Sequence, residues 1–236
     1  MLCIGHRGAR GHAPENTLAS IRKALALGAR AVEVDVHCCD GELVVIHDDT
    51  VERTTNGHGT VQSFALNALR ALDAGNGERI PLLQEVMDAI EGKAAINIEL
   101  KGAGTAQATA QLIAHYRQRG WPAASIQVSS FDWSLLTTFR EHDEQCPIGL
   151  LAEKPVFDAL GHATDALRSR SWNVHHAHID QRLMQQAQQH RQRVYAYTVN
   201  HASDMQRLQR LGVNGIFTDY PERALTYQTA GDGCFD

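Results

Sequence analysis

Short apolar segments alternate with amphipathic segments along almost the whole chain, and this alternation limits the folds that the chain can adopt. Short apolar runs bounded by turn residues are typical of buried strands, and the stretches between them carry apolar residues at helical spacing. Strands separated by single helices favour parallel pairing, because a parallel connection needs a long crossover to return to the same end of the sheet.

The length of the chain points to one particular arrangement of these units. About eight strand–helix units fit within the 236 residues, which is the size of a closed (β/α)8 barrel, the TIM barrel. A doubly wound open sheet is the alternative, although Gly5-His6-Arg7-Gly8 lacks the G-x-G-x-x-G spacing of a dinucleotide-binding loop. We therefore expect an α/β fold with strands at 2–4, 31–37, 42–46, 94–100, 125–128, 147–151, 172–175, 193–199 and 215–218. Helices are expected at 15–27, 82–90, 106–119, 133–142, 155–168, 182–190, 202–211 and from Pro221 onward.

The stretch from residue 50 to residue 80 departs from this regular alternation. It is rich in Thr, Asn and Gly, as in Thr54-Thr55-Asn56-Gly57, and it has no sustained apolar period. Long irregular segments within a regular fold are usually functional loops or small additions. We interpret it as an excursion from the main fold, either a small subdomain or a long functional loop, within a single domain over residues 1–236.

Composition excludes several classes of partner and location. The net charge of −5 and the scattered Lys and Arg argue against nucleic-acid binding. Five cysteines at irregular spacing predict reduced thiols rather than disulfides. No apolar run approaches the roughly 20 residues that span a bilayer, and the short apolar start does not resemble a signal peptide. We expect a cytoplasmic protein without a membrane span, either a monomer or a homodimer.

Two acids on one expected strand are the strongest chemical signal. In Ala31-Val32-Glu33-Val34-Asp35-Val36, strand periodicity places Glu33 and Asp35 on one face and the three valines on the other. Two carboxylates directed into one place repel each other unless a cation lies between them. A hard divalent metal ion with oxygen ligands resolves this repulsion.

Other expected strand ends carry polar groups that complete a site. The carboxyl ends of the strands are where (β/α)8 barrels place their chemistry. The run at 96–98 leads to Glu99 and Lys101, which share a face, and Glu99 adds a third carboxylate. Three carboxylates without thiolates or a His-x-His pair suit Mg²⁺ or Ca²⁺, with Mn²⁺ as an alternative.

The ends of the first, third and fourth expected strands supply groups for phosphate binding and proton transfer. Arg7 offers a planar fork for phosphate oxygens, and Lys101 offers a point charge. His6 and His47 are candidates for the general acid and base that phosphodiester cleavage needs. The strand ends therefore present groups able to hold a metal and a phosphate, and these groups match the functions that phosphodiester cleavage needs.

At this point the chain resembles the glycerophosphodiester phosphodiesterases, and among them most closely the short cytosolic bacterial enzymes. The motifs occur in the family's order and cover almost the whole chain. Any one of them alone is weak evidence for the family, but the ordered set is highly specific. They are His6-Arg7-Gly8, Pro14-Glu15-Asn16-Thr17, Glu33-Val34-Asp35, His47-Asp48, Arg53-Thr54-Thr55-Asn56-Gly57, Ile98-Glu99-Leu100-Lys101, Ser130-Phe131, Tyr197-Thr198-Val199-Asn200 and Thr218-Asp219-Tyr220-Pro221.

The resemblance implies a distorted (β/α)8 barrel with a small insertion near residues 50–80. It also implies an enzyme that converts a glycerophosphodiester and water to sn-glycerol 3-phosphate and an alcohol. The nucleophile is either water or a substrate hydroxyl that forms a cyclic phosphate, and either histidine can be the base. Two departures from the family lie near the expected mouth, Tyr197 in place of Trp and Cys38-Cys39 in place of a polar turn. The implied roles are metal binding by Glu33, Asp35 and Glu99, catalysis by His6 and His47, and phosphate binding by Arg7 and Lys101.

Three further residues are expected near this site. Phe131 is predicted to line the glycerol pocket. Glu15 and Asn16 are predicted to support His6 and its neighbours from the start of the first helix.

Three other functions compete with this interpretation. A lysophospholipase D or a sphingomyelinase-D-like enzyme would need an apolar groove for an acyl chain. A metal-dependent amidohydrolase could use His175, His176, His178 and Asp219, with strand period placing His176 and His178 together and His175 opposite. A binding module that recognises phosphodiesters without cleaving them is the third alternative.

Overall fold

Eight parallel strands close into a barrel in the computed structural model, which describes residues 1–228 and 235. The first strand pairs with both the second and the last strand, and this double pairing closes the barrel. One short strand, β3, pairs antiparallel with β2 outside the closed ring. The (β/α)8 prediction is confirmed. The strands are β1 (Leu2–Gly5), β2 (Ala31–Cys39), β3 (Glu42–Val45), β4 (Ala95–Leu100), β5 (Ile126–Ser130), β6 (Ile148–Ala152), β7 (Ser171–His175), β8 (Arg193–Tyr197) and β9 (Gly215–Thr218).

Helices connect successive barrel strands and cover the outside of the barrel. Every helix in the described part of the chain is too short or too polar to cross a bilayer. The α-helices are α1 (Leu18–Ala26), α2 (Leu66–Arg70), α3 (Leu83–Ile90), α4 (Thr105–Gln118), α5 (Trp133–His142), α6 (Phe157–Leu167), α7 (Gln181–Gln189), α8 (Ala202–Leu211) and α9 (Pro221–Ala224). Single turns of 3₁₀-helix occur at Val61–Ser63, Ala123–Ser125, His176–His178 and Leu225–Tyr227.

The main apolar core lies between the barrel strands and the surrounding helices. Val32, Val34 and Val36 of β2 belong to it and are fully buried. Because side chains alternate along a strand, the residues between these valines must point into the barrel. The outward valines therefore determine that the acids of β2 face inward.

The barrel interior is filled in layers. An apolar group that includes Leu2, Ala31 and Phe235 fills one part. A second group of neutral polar residues, here called the amide layer, is also buried. Within it Asn97 donates to Ser129 at 2.9 Å and Gln127 donates to Asn97 at 2.9 Å. The amide layer consists of Asn97, Gln127, Ser129, Ser171 and Asn173.

The segment between β3 and α3 forms the excursion that the sequence predicts at about 50–80. It has a separate small core, in which Val51, Val61 and Leu69 are almost completely buried. Helix α2 and a 3₁₀ turn lie within it. The insertion is thus packed structure, adjacent to β3 and to the start of α3.

Most predicted boundaries differ from the observed ones by only a residue or two, but the first helix does not begin at Glu15. It begins at Leu18, after Thr17, whose hydroxyl accepts from the Ser20 N–H at 3.3 Å. Asn16 has a φ of 58°, which is incompatible with a right-handed helix. Glu15 and Asn16 consequently lie in the loop before the helix. Thr17 is the N-cap, although it was expected to lie within the first helical turn.

Candidate active site

Three carboxylates from two neighbouring strands converge inside the barrel. Glu33 and Asp35 come from β2, and Glu99 of β4 lies directly opposite Asp35 in the parallel register. One oxygen from each lies within 4.8 Å of the others, a spacing that could hold a metal ion. All three side chains are buried. Within the described part of the chain, no other set of three His, Cys, Asp or Glu residues meets this spacing.

Glu33 provides a direct test of whether a cation fits the cluster. Its Oε2 accepts from the Arg7 backbone N–H at 2.9 Å, whereas its buried Oε1 has no hydrogen-bond partner among the described residues. Burial, together with the charges of Asp35 and Glu99, raises the pKa of Glu33 well above its ordinary value. A buried oxygen without a partner, in a side chain that lies beside two other carboxylates, fits a hard divalent cation.

Glu99 and Asp35 differ in their balance of charge. Burial, followed by the charge of Asp35, raises the pKa of Glu99 to about 7. Burial also acts to raise the pKa of Asp35, but Arg7 and other cationic neighbours outweigh it and the pKa is lowered. The Arg7 Nε lies 3.2 Å from Asp35 Oδ2, and Asn16 Nδ2 donates to the same oxygen at 2.9 Å. Asp35 is therefore the carboxylate of the cluster whose negative charge the neighbouring cations favour.

Two cations flank the carboxylates. Lys101 donates to Glu99 Oε1 at 2.7 Å and lies 3.7 Å from Asp35 Oδ1. Arg7, which is 8% exposed, donates from Nη1 to Glu15 Oε1 at 2.7 Å. Arg7 has a φ of 50°, and the bend after β1 presents its backbone N–H to Glu33. Gly8 follows with a φ of +83°, and a Cβ there would lie 2.1 Å from the Ser20 Oγ, so α1 can pack closely against this bend.

Each of the two predicted catalytic histidines is held by an aspartate at Nδ1. His6 Nδ1 lies 2.7 Å from Asp219 Oδ1, and Asn200 Nδ2 donates to Asp219 Oδ2 at 2.8 Å. His47 Nδ1 lies 2.6 Å from Asp48 Oδ1. An aspartate at Nδ1 favours the tautomer with the proton on Nδ1, which leaves Nε2 for another partner.

His47 Nε2 has a partner inside the site, since the Lys101 Nζ lies 3.2 Å away. An ammonium group can only donate, so this contact makes Nε2 of His47 the acceptor. Burial lowers the pKa of His47, which keeps the imidazole neutral in this arrangement.

These groups surround a pocket of about 240 Å³ at one end of the barrel. Phe131 and Tyr197 form its aromatic wall, with ring centroids 5.7 Å apart in an edge-to-face arrangement. Phe131 is 46% exposed, so one side of its ring remains open to a ligand. The lining residues are His6, Arg7, Arg10, Glu33, His47, Asn97, Glu99, Phe131, Leu151, Tyr197, Thr198 and Phe217.

Most predicted site residues thus lie together, but two predicted placements are wrong. Glu15 and Asn16 contact Arg7 and Asp35, and they belong to a loop rather than to a helix. The His175–His178 segment does not continue as a strand. It turns into a 3₁₀-helix, which brings the rings of His175 and His176 to 4.7 Å instead of placing them on opposite faces.

Sequence reasoning missed the partners of the two histidines and one arginine. Asp48 and Asn200 stood within recognised motifs but had no assigned role, and Asp219 had one only in the amidohydrolase alternative. Arg53 also stood within such a motif, and it donates to both Asp48 and Glu15. The available signal for Asp48 was its position next to His47 in the sequence. Asp219, Asn200 and Arg53 gave no such signal, because they contact residues that are not their neighbours in the sequence. Cys3, Cys38, Cys39 and Cys146 are free thiols, as expected, and Cys234 lies outside the described residues.

Comparison with known proteins agrees with this geometry. The profile of the glycerophosphoryl diester phosphodiesterase family matches residues 6–223. The chain belongs to this family. A glycerophosphodiester phosphodiesterase of Caldanaerobacter subterraneus subsp. tengcongensis is 35% identical, with 98% of each chain covered. One from Bacillus altitudinis is 30% identical over 94% of this chain and 96% of its own length.

A solved structure shows the same barrel. A phosphodiesterase of Oleispira antarctica, in complex with the product sn-glycerol 3-phosphate, has a TM-score of 0.87 and 30% identity, with 96% of both chains covered. Family membership confirms that the chain is a glycerophosphodiester phosphodiesterase, a class of enzyme. The amidohydrolase and binding-module alternatives are thereby set aside.

Proposed function

We propose that this phosphodiesterase hydrolyses glycerophosphodiesters to sn-glycerol 3-phosphate and an alcohol, and that it depends on one divalent cation, Mg²⁺, Ca²⁺ or Mn²⁺. The observation that carries the proposal is the buried carboxylate cluster, in which Glu33, Asp35 and Glu99 each offer an oxygen within 4.8 Å of the others and the buried Glu33 Oε1 has no hydrogen-bond partner among the described residues. The Oleispira antarctica relative, which holds sn-glycerol 3-phosphate, supports the product assignment.

The cation would be held by Glu33, Asp35 and Glu99. When bound, it supplies a positive charge that polarises a phosphoryl oxygen and stabilises the charge that develops in the transition state. All other functions in the reaction fall to the side chains of this protein.

Arg7 and Lys101 bind the phosphoryl group in this proposal. Both line or border the pocket, both are largely buried, and their neighbouring carboxylates raise the pKa of each although burial opposes this. They therefore stay protonated over the whole working range of pH. Fixed cations in a partly dry site stabilise developing charge more strongly than the same groups in water.

His47 accepts a proton and His6 donates one. With its Nδ1 proton held by Asp48, His47 presents a lone pair at Nε2, as its contact with Lys101 indicates. His47 takes the proton from the attacking oxygen as the new P–O bond forms. Asp219, at Nδ1, supports the imidazolium form of His6. The Nε2–H of that imidazolium protonates the alkoxide as the P–O bond to the alcohol breaks, which leaves a neutral ring with its remaining proton on Nδ1.

Phe131 and Tyr197 are proposed to pack against the carbon atoms of the substrate. Their rings form the apolar wall of a pocket whose remaining lining is mostly polar. A glycerol moiety has one apolar and one hydroxylated side, which suits such a pocket. Cytoplasmic location and a monomeric or homodimeric state stay predictions.

The proposal is tested by measuring glycerol 3-phosphate release from glycerophosphocholine, glycerophosphoethanolamine, glycerophosphoglycerol and lysophosphatidylcholine, with each cation and with a chelator. We expect turnover of the three water-soluble diesters that stops with chelator. His6→Ala and His47→Ala should each lower kcat by about 10²–10⁴-fold. Cation-independent release, or release from lysophosphatidylcholine alone, would contradict the proposal.

The two histidine roles are separated by the leaving group. A glycerophosphodiester with a p-nitrophenol leaving group needs no general acid, because p-nitrophenolate departs without protonation. His6→Ala should therefore regain most of its activity on this substrate, while His47→Ala should not. The opposite pattern would reverse the assignment.

A further inference from the structure

Arg53 belongs to the insertion and contacts two carboxylates of the barrel mouth at once. Its Nε and Nη2 donate to the two oxygens of Asp48 at 2.6 and 3.0 Å. Its Nη1 and Nη2 donate to the two oxygens of Glu15 at 2.9 and 2.8 Å. Every nitrogen of the guanidinium is therefore used, and both of its bidentate edges are filled.

The two carboxylates bound by Arg53 each hold a group of the proposed active site. Asp48 Oδ1 lies 2.6 Å from His47 Nδ1. Glu15 Oε1 accepts from Arg7 Nη1 at 2.7 Å. A continuous series of charge-assisted hydrogen bonds thus runs from His47 through Asp48, Arg53 and Glu15 to Arg7.

The position of Arg53 is set by the packing of the insertion. Val51, two residues earlier, is fully buried in the insertion core. The Thr55 N–H donates to the Val51 carbonyl at 3.0 Å, closing a tight turn around Arg53. A side chain that is 43% exposed would contribute little in a simple surface ion pair. Arg53 differs from such a pair, because its guanidinium binds Asp48 along one edge and Glu15 along another.

We propose that Arg53 is a positioning residue through which the insertion aligns His47, the proton-transfer group, with Arg7, the phosphate-binding group. This inference rests on the proposed function of those two residues. Arg53 acts through Asp48 and Glu15 and does not line the pocket. Small displacements of a reacting group are costly, about 10²-fold in rate for 1 Å, which gives such an alignment its importance.

The first test compares two arginine variants of the insertion. Arg53→Ala should lower kcat/KM for glycerophosphocholine by about 10²-fold, with the cation saturating. The matched control is Arg70→Ala, which removes another ion-paired arginine of the insertion, bound to Glu85 at 2.5 Å and absent from the lining of the pocket. The control should stay within about threefold of the wild type, as for a typical surface pair.

Conservative replacement and chemical rescue separate positioning from general stability. Arg53→Lys retains the charge but cannot fill two bidentate edges, so it should regain little activity. Guanidinium ion at millimolar concentration should restore part of the activity of Arg53→Ala, whereas urea at the same concentration should not. A role in stability alone would give the reverse result, with rescue by Lys and none by guanidinium.

The second test measures coupling between the two carboxylates. Asp48→Asn and Glu15→Gln are combined in the wild-type background and in the Arg53→Ala background. With Arg53 present, the loss of kcat/KM in the double variant should differ by about fivefold or more from the product of the two single losses. In the Arg53→Ala background, the loss in the double variant should equal that product. Coupling that persists unchanged in Arg53→Ala would overturn the inference.

The outcomes also separate this inference from the proposed function. A wild-type enzyme that releases no glycerol 3-phosphate with any cation defeats the proposed function. An active wild type, with Arg53→Ala and Arg53→Lys both within about threefold of it, defeats the role of Arg53 alone. If Arg53→Ala does not fold, as judged by circular dichroism, the Arg53→Lys variant decides between the two results.

Discussion

The carboxylate cluster and the amide layer share one barrel interior, yet they solve the problem of buried polarity in opposite ways. On β4, Asn97 and Glu99 are successive inward residues, and Asn97 lies opposite Glu33 in the register with β2. The amide layer is neutral, and its members bond to one another, with the Asn173 Nδ2 left without a partner. The cluster instead gathers three carboxylates, and among them the Glu33 Oε1 also has no hydrogen-bond partner.

This difference separates a neutral layer from a charged one, and Asn97 of the neutral layer also reaches the pocket lining. Neutral polar groups that bond to one another, as most groups of the amide layer do, contribute modestly to stability and carry no net charge that a ligand must neutralise. Like charges that are buried together raise the free energy of the protein unless a cation joins them. The amide layer therefore stabilises the barrel, whereas the carboxylate cluster is stabilised when a cation binds to it.

The largest expected effect comes from neutralising one member of the cluster. Glu33→Gln should lower kcat/KM by about 10³-fold, because the proposed cation loses a ligand. The same change should raise the unfolding free energy of the metal-free protein by about 1 kcal/mol, since a destabilised buried charge is removed. Activity assays and urea unfolding in chelator check the two halves of this prediction.

The thermal response to the cation provides the control for that variant. Cation at 100 times its dissociation constant should stabilise the wild type by about 2.7 kcal/mol and leave Glu33→Gln unchanged. Glu42→Gln, at the exposed start of β3, should behave as wild type in both assays. A loss of stability in metal-free Glu33→Gln would show that the cluster is structural, like the amide layer.

Acid should remove the stabilisation that ion pairs give to the charged end of the barrel. It should not change the stabilisation from the amide layer, whose members are neutral. Burial alone would raise the pKa of Glu15, but hydrogen bonds from Arg53 and Arg7 outweigh it and lower the pKa to about 2. Because the folded-state pKa is below the unfolded one, this stability is present above about pH 4.5 and is lost as the pH falls toward 2. The contribution is about 2–3 kcal/mol.

Unfolding free energies of the wild type and of Glu15→Gln, measured by urea titration from pH 7 to pH 2, check this prediction. The variant should be less stable at pH 7, and the difference should shrink as the pH falls. Parallel curves for the two proteins would show that the ion pairs of Glu15 contribute nothing to folding.

The smallest expected effect concerns the amide layer itself. Gly149 of β6 leaves space for the layer, and a Cβ there would lie 2.7 Å from Asn173 Nδ2 and 2.8 Å from Gln127 Nε2. Gly149→Ala should cost about 1–3 kcal/mol of stability, with kcat/KM per folded molecule within about threefold of the wild type. Thermal unfolding measures the loss of stability, and rates normalised to the concentration of active sites measure kcat/KM. A large loss of activity in the folded variant would show that the amide layer also takes part in function.

Much of the fold and part of the candidate site could be predicted from local patterns. Alternation along β2 was enough to place Glu33 and Asp35 inside the barrel, because the three valines between and beside them need burial. Strand ends marked His6, His47 and Lys101, since a parallel barrel brings all of those ends to one side. These predictions needed no knowledge of which strand adjoins which.

Features that depend on distant contacts could not be predicted in this way. The helix expected from Glu15 begins later because Asn16 turns back to bond Asp35 of β2, a contact between separate elements. The histidines at 175–178 leave the strand because the chain turns into a 3₁₀-helix, where the Arg207 guanidinium donates to the His176 carbonyl at 2.8 Å. Local periodicity does not contain this kind of information.

The sequence by itself determined the order of strands and helices, the inward face of β2 and the types of group available at each strand end. These depend on side-chain periodicity and on chemistry, which are local properties. Only the tertiary structure decided that Glu99 of β4 stands opposite Asp35, that Asp219 orients His6, and that Arg53 from the insertion joins Asp48 to Glu15. The physical reason is that register, closure of the barrel and packing of the insertion determine distances between residues far apart in the chain.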